Sequence, residues 1–389
     1  MSKWPILSLV EVAAPKRGSV NPFNFPKEIF DLYSIPAYDC GMPEIVTGDH
    51  IGSSKQIVAP GDVLLSRIVP HIRRVWVAGE NMGRRMIASG EWIVFNNPQI
   101  SPRFLHYFLL GDPFHNQFMQ TVSGVGGSLL RAKASETFKI RIPLPPLPEQ
   151  ERIVKLLDEA DALRKLRNKS DKRSMELIPA LFNEMFGDSK TNPFGWKESK
   201  LSDSCIKIAD GTHFSPPPVN CGVPYITAKH LRPYGLDFDR DPTYVSKERH
   251  DEIYKRCDPR NGDVLYIKDG ATTGIAAINH YDFEFSMLSS LALLRCEPTK
   301  CCSEYLCEWL NNKDVKSTML DQMSGSAIKR LTLVKIKKSK ILLPPLPLQK
   351  EFASRVSEIR AMESEQSSSR QSLDALFQSM LHRAFQGEL

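Results

Sequence analysis

The chain has 389 residues, 41% of them hydrophobic and 25% charged, with 51 Lys and Arg against 45 Asp and Glu. That is the composition of an ordinary globular protein, long enough for two or three domains with separate cores. No run approaches 18 apolar residues and Met1-Ser2-Lys3-Trp4-Pro5 lacks a signal-peptide pattern, so a helical membrane span is not expected and the cytoplasm is.

In chain order, residues 1–142 read as a β-rich globular segment of short apolar runs broken by Gly, Pro and Asn. It opens on Trp4 and Leu9. The turn Pro60-Gly61-Asp62 feeds the apolar run Val63-Leu64-Leu65. A basic loop follows, Ser66-Arg67-Ile68-Val69-Pro70-His71-Ile72-Arg73-Arg74. Phe104 to Leu109 forms the apolar face of a helix. Gly127-Ser128 then precedes Arg131 and Lys133, and an alternating strand runs into prolines.

Residues 143–188 form a proline-led helix. Pro145, Pro146 and Pro148 fix φ and withhold backbone donors, giving a stiff lead-in. Ile153, Leu156, Leu157, Ala160 and Leu163 then fall three and four apart as one apolar stripe. The stripe pauses across the charged run 164–173 and resumes at Leu177, Leu181, Met185 and Phe186. Pro179 should kink or restart the helix, and Gly187 should cap it.

Residues 189–342 repeat the first plan. Trp196 and Leu201 answer Trp4 and Leu9; Asn261-Gly262-Asp263-Val264-Leu265 answers the first turn and run; Tyr305 to Leu310 answers the helix. Gly325-Ser326 precedes Lys329 and Arg330. Residues 343–389 repeat the second plan, with Phe352, Val356, Ile359 and Met362, then Leu373, Leu376, Met380, Ala384 and Phe385 before Gly387. Leu144-Pro145-Pro146-Leu147-Pro148-Glu149-Gln150 returns 199 positions later as Leu343-Pro344-Pro345-Leu346-Pro347-Leu348-Gln349, whereas Ala180-Leu181-Phe182 returns after 195 as Ala375-Leu376-Phe377. The chain is therefore a tandem duplication whose second helix is four residues shorter, close to one turn. Each helix of ~38 residues would span ~57 Å, and their interrupted seams suit an antiparallel pair.

The charge repeats too. The globular segments carry 15 Lys and Arg against 11 Asp and Glu, and 23 against 19; the helical segments carry 8 against 9, and 5 against 6. Mildly basic globular parts with near-neutral helices suit a polyanion for the former and protein for the latter.

The candidate contacts to such a polyanion are Arg67, His71, Arg73, Arg74, Arg131 and Lys133 in the first half. In the second they are Lys229, His230 and Arg232 of a basic turn, Lys268, Thr272 and Thr273 of the loop equivalent to 66–74, and Lys329 and Arg330. Arginine takes phosphate or forks onto a guanine edge; equally, any one of these residues is an ordinary solvated charge. His213, beside Pro216-Pro217-Pro218, reads as loop structure or a phosphate contact. Asp62 and Asp263 sit in Gly-Asp turns without a carboxylate partner, which disfavours a metal. Cys296, Cys301, Cys302 and Cys307 lack a Cys-x-x-Cys pair and read as buried thiols. Gly124-Val125-Gly126-Gly127 lacks the strand–helix context of a phosphate loop. A protein-interaction scaffold, two β domains on a helical rod with no DNA role, is the other reading.

The Leu-Pro-Pro-Leu-Pro-Glu-Gln stretch and its partner, Gly61-Asp62-Val63-Leu64 and Gly262-Asp263-Val264-Leu265, and the closing Ala384-Phe385-Gln386-Gly387-Glu388-Leu389 resemble the DNA-specificity subunit of type I restriction–modification systems over the whole chain. The resemblance implies an α+β fold: two β-rich α/β target-recognition domains in pseudo-twofold arrangement, joined by two long antiparallel helices. It implies a noncatalytic subunit that selects an asymmetric bipartite site on double-stranded DNA. It also implies two methyltransferase subunits and two restriction or motor subunits as partners. S-adenosylmethionine, ATP and Mg would belong to those partners, with no cofactor in this chain.

Overall fold

The computed structural model describes all residues except 1–3, 12, 14–16, 125–129, 233–234 and 324–329. The chain forms two compact units: Met1–Asn168 with Ser368–Leu389, and Lys169–Ser367. Helices and strands are mixed in both, as an α+β fold requires.

In the first unit a five-stranded sheet runs in the order Ser19–Val20, Lys55–Ile57, Arg85–Ala88, Ile29–Tyr33, Glu44–Thr47. Beside it lies an antiparallel sheet with Val63–Ser66 between Val75–Val77 and Trp92–Phe95. All four residues of Val63–Ser66 are buried, which is why Val63, Leu64 and Leu65 are apolar in succession rather than in alternation. The second unit repeats this centre. Val264–Ile267, also fully buried, lies between Ala276–Ile278 and Leu291–Cys296, with Cys205–Asp210 on the outer edge. A second sheet has Val223–Ile226 between Tyr244–Val245 and Ser286–Met287.

Each globular segment is closed where it begins and ends. Ile6–Ser8 pairs with Arg141–Pro143, and Lys197–Lys200 with Lys340–Leu343, both antiparallel. The prolines therefore leave from a fixed point, and the helices start at Leu147 and Leu346. The first runs Leu147–Ser174, breaks, and restarts as Leu177–Phe186. Pro179 is the reason: it has no N–H for the Met175 carbonyl, so bonding resumes with Ala180 N–H donating to Glu176 O at 3.0 Å. The second copy lacks that proline and runs unbroken over Leu346–Gln386. Gly187 caps the first with φ 76°.

Within each unit the start of one long helix packs antiparallel against the end of the other. In the first unit Arg164 Nε donates to Asp374 at 2.7 Å, its guanidinium lies 4.3 Å from the Phe377 ring centre, and Arg152 reaches Leu389 O. In the second, Ser174 Oγ donates to Gln366 at 2.9 Å. The cores follow this pairing. Ile153 and Leu157 meet Phe377, Leu381, Ala384 and Phe385 over the helix Pro102–Leu110, with Phe104 and Phe108 each about 5 Å from Phe385, ring centre to ring centre. Phe352 and Val356 meet Ile178, Phe182 and Phe186 over the helix Ser303–Asn311, with Phe186 4.8 Å from Tyr305. The expected stripe is only partly used. Leu163, Leu177, Met362 and Leu376 remain exposed, together with Leu166 and Met175, because the pairing buries one or two positions per turn.

The repeated glutamine has a physical reason. Gln150 and Gln349 are fully buried. Gln150 Oε1 accepts from Ser101 N–H at 2.8 Å, while Nε2 donates to Gln99 O (3.1 Å) and Pro145 O (2.9 Å). Gln349 repeats the set with Cys302 N–H (3.0 Å), Lys300 O (3.0 Å) and Pro344 O (2.8 Å). Ser101 and Cys302 are the N-caps of the two packing helices. One amide thus ties the start of the long helix to the start of the helix beneath it. Gln150→Leu or Gln349→Leu strands a buried N–H and a buried C=O, which should cost about 3 kcal/mol. Urea unfolding followed by circular dichroism checks this, and a variant within about 0.5 kcal/mol of the parent contradicts the clamp.

Candidate nucleic-acid interface

The Gly-Asp turns come first, because they aim the loops. Gly61 and Gly262 sit at φ 82° and 86°, the left-handed region that favours glycine. Asp62 accepts from Ala59 N–H at 2.9 Å and Asp263 from Arg260 N–H at 2.8 Å, each closing its own turn. Both carboxylates are buried and each is held by an arginine distant in sequence. Arg17 bonds Asp62, and Arg295 forks onto Asp263 at 2.8 and 2.9 Å. These aspartates are the fixed ends of the buried strands.

Past those strands, residues 66–74 and 267–275 share one backbone path. Ser66 N–H donates to Arg74 O (3.0 Å) as Ile267 N–H does to Ile275 O (2.9 Å). Arg67 N–H donates to Glu91 O (3.0 Å) as Lys268 N–H does to Ser290 O (2.9 Å). Ile72 N–H donates to Val69 O (2.9 Å) as Thr273 N–H does to Gly270 O (3.3 Å). Antiparallel bridges then join Ile68 to Arg131 and Asp269 to Arg330. The equivalence expected from sequence is therefore present in these bonds, and the second loop adds one more, Gly274 N–H to Ile267 O at 2.9 Å.

The pivots differ. Gly270 sits at φ 93°, and its counterpart Val69 at φ 50°, a conformation that strains a β-branched residue. At the tips His71 and Thr272 are exposed.

Other candidates are placed less simply. Arg131 forks onto Glu91 at 3.0–3.2 Å, a partner that raises its pKa. Arg67 Nε lies 3.5 Å from the same carboxylate, so two arginines share one acid. Lys133 is exposed, and Arg330 is exposed with Nε 4.0 Å from Asp269. Arg73 departs from the expectation: it donates to Leu110 O (2.8 Å) and Asp112 (2.6 Å), fastening the loop to a helix end. Arg74 is largely covered, 3.4 Å from Asp39.

On the turn Ala228–His230, Lys229 pairs with Asp241 at 3.0 Å. His230 is fully buried and offers a duplex no surface. Its Nδ1 accepts from Thr227 N–H at 2.9 Å and its Nε2 lies 2.9 Å from Asp241 O, while burial pushes its pKa down. Arg232 is half-buried, with Nε lacking a hydrogen-bond partner among the described residues. Lys268 is likewise enclosed, its Nζ 3.4 Å from Asp210, and Thr273 spends its hydroxyl on Gly270 O at 2.7 Å. Lys329 and Gly325-Ser326 lie outside the described residues, as do Gly127-Ser128 and Val125 to Gly127 of the glycine-rich run.

Sequence reading missed the acids that tie these cations down, Glu91 and Asp210; nothing in their local pattern marks them. Near Asp263, Asp258 is held at about 2: partial burial opposes its charge, but Lys207 and Arg295 outweigh that. Cys205, Cys257, Cys296, Cys301 and Cys307 are buried free thiols, and burial raises the Cys205, Cys257 and Cys307 pKa values. Among the described residues no helix is long and apolar enough to cross a membrane.

Residues 2–173 and 193–372 each match the family described as Type I restriction modification DNA specificity domain. A chain from a structural study of complex assembly and conformational transition of the type I R-M system is similar at 22% identity and TM-score 0.65, over 99% of this chain and 98% of that one. The S subunit of a type I restriction-modification system from M. genitalium is similar at 12% identity and TM-score 0.54, over 99% and 96%. Comparison with curated proteins gives no match.

The shared loop geometry carries its own test. A Cβ at Gly270 meets nothing within 4 Å, so Gly270→Val pays for conformation alone and should destabilise by about 2 kcal/mol. Val69→Gly should instead raise stability by about 1 kcal/mol by releasing that strain. Unfolding midpoints that move together in the two variants contradict the shared path.

Proposed function

The chain belongs to the type I restriction modification DNA specificity domain family, and from that membership we propose that it is the noncatalytic DNA-recognition subunit of a cytoplasmic type I restriction–modification complex. The observation that supports this best is the loop that recurs at residues 66–74 and 267–275, with three matching backbone hydrogen bonds, a matching antiparallel bridge and different side chains. One backbone path displayed twice suits two readers of one kind of surface, and the changed side chains suit two different half-sites. The readers are residues 1–142 and 189–342. The helical segments 143–188 and 343–389 set the spacer and dock two methyltransferase subunits, through which two restriction or motor subunits join.

Exposed Leu163, Leu166, Met175, Leu177 and Met362 give those helices apolar surface for protein partners. Methyl transfer to a flipped adenine, with its S-adenosylmethionine, belongs to the partners, as do ATP and Mg. In this chain Arg67, His71, Arg131 and Lys133 serve one half-site, and Thr272, Lys329 and Arg330 the other. Arg73, Arg74, Lys229, Arg232, Lys268 and Thr273 support them, with His230 fixing the fold behind its turn.

Mapping methylated adenines in cells that carry the chain with its partners tests the proposal. The expected target is split and asymmetric; a continuous target contradicts it. Inserting four residues into either helix adds ~6 Å of rise and should lengthen the spacer while leaving both half-sites unchanged. Glu91→Gln removes the acid shared by Arg67 and Arg131. The assembled complex should then hold unrelated duplex more tightly, with a steeper fall of affinity against salt, as expected when more cations meet phosphate. An unaltered salt titration removes those two arginines from the interface.

A further inference from the structure

The loop leaving the strand Cys205–Asp210 carries a side chain that the fold itself does not use. Phe214 is 84% exposed, more than any other large apolar side chain among the described residues. Exposure of a ring costs hydration free energy, and here the backbone holds it in water. At Gly211 a Cβ would lie 1.7 Å from Met287 O, so the chain passes there only as glycine. Thr212 N–H donates to Met287 O at 2.9 Å, and Ser289 N–H donates to Thr212 O at 2.8 Å. The Thr212 hydroxyl donates to Phe214 O (3.1 Å) and accepts from Phe214 N–H (3.2 Å). Pro216, Pro217 and Pro218 stiffen the return.

The surroundings are cationic and polar. Arg256 donates to Asp210 at 2.7 Å and lies 3.1 Å from His213 Nε2, and both side chains are about half exposed. Lys268, the first residue past the buried strand, takes the other Asp210 oxygen at 3.4 Å. Two cations thus share one buried carboxylate at the base of the loop, and Arg256 is the one of them that reaches solvent. A face built for a protein partner would surround such a ring with further apolar side chains. Phe214 instead has His213 and Ser215 as its chain neighbours, and the Arg256 guanidinium lies 3.1 Å from that histidine.

Resting on the DNA-recognition reading above, we propose that Phe214 is a wedge. Its ring enters a groove of the half-site read by the second unit and partly unstacks one base step, while Arg256 holds a flanking phosphate. Apolar side chains inserted at a step kink DNA and change which sequences are easily bound, so this residue would contribute specificity without a hydrogen bond to any base.

The test uses the full chain assembled with its methyltransferase partners. The probe is a duplex carrying the target mapped from its own methylated adenines, with 2-aminopurine placed at successive positions of both half-sites. Fluorescence should rise on binding at one step of the second half-site. Phe214→Ala should abolish that rise and weaken specific binding about tenfold or more, with an unchanged salt slope because no phosphate contact is lost. The ring is solvent-facing, so the unfolding midpoint should stay put; Phe214→Trp should keep both the signal and the affinity. If Phe214→Ala binds and methylates like the parent with the same bright step, or if its salt slope falls, the wedge is overturned. If the parent complex selects no target at all, the recognition reading fails, and the wedge with it.

Discussion

The larger hydrophobic core of each unit is finished by the far end of the other repeat's long helix. Phe377, Leu381, Ala384 and Phe385 complete the unit that contains residues 1–168, and Ile178, Phe182 and Phe186 complete the unit that contains residues 169–367. Removing either helix end would expose the aromatic face of a nine-residue helix that carries five buried side chains. The apolar area involved dominates anything that surface ion pairs contribute, so antiparallel pairing of the long helices is a condition of folding within each unit. The glutamine clamps then fix the height at which each helix begins.

The residues that recur between halves serve geometry, and the exposed tips of the shared loop are among those that differ. Gly-Asp turns, buried central strands and glutamine clamps are nearly superposable in their hydrogen bonds. His71 and Thr272 share a position and share nothing chemically. Such a division lets the exposed chemistry change while the frame is kept, provided the replacements tolerate the loop's left-handed pivot, which the first half meets with a strained valine and the second with glycine.

Much of this was legible in the sequence because it was written twice. The duplicated proline stretch located both helices, Pro179 announced the break near residue 175, and the Gly-Asp turns were read correctly as turns. Charge was read less well. Arg73, His230 and Lys268 looked like a DNA-facing set, yet their partners Leu110 O, Asp241 O and Asp210 lie 37, 11 and 58 positions away in the chain and carry no local signal. A cation's sequence neighbours say little about which acid lies across the fold from it. The apolar stripe was overread for a related reason: periodicity marks a helix face, while the partner decides how wide a strip is covered.

The unequal make-up of the two units bears on synthesis. Residues 169–367 are contiguous, whereas the other unit needs residues 368–389 before its core is sealed. A ribosome moving at 5–20 residues per second would leave Phe104 and Phe108 uncovered for roughly 10–45 s after residue 168 emerges. The half translated first is therefore the last to have its core sealed.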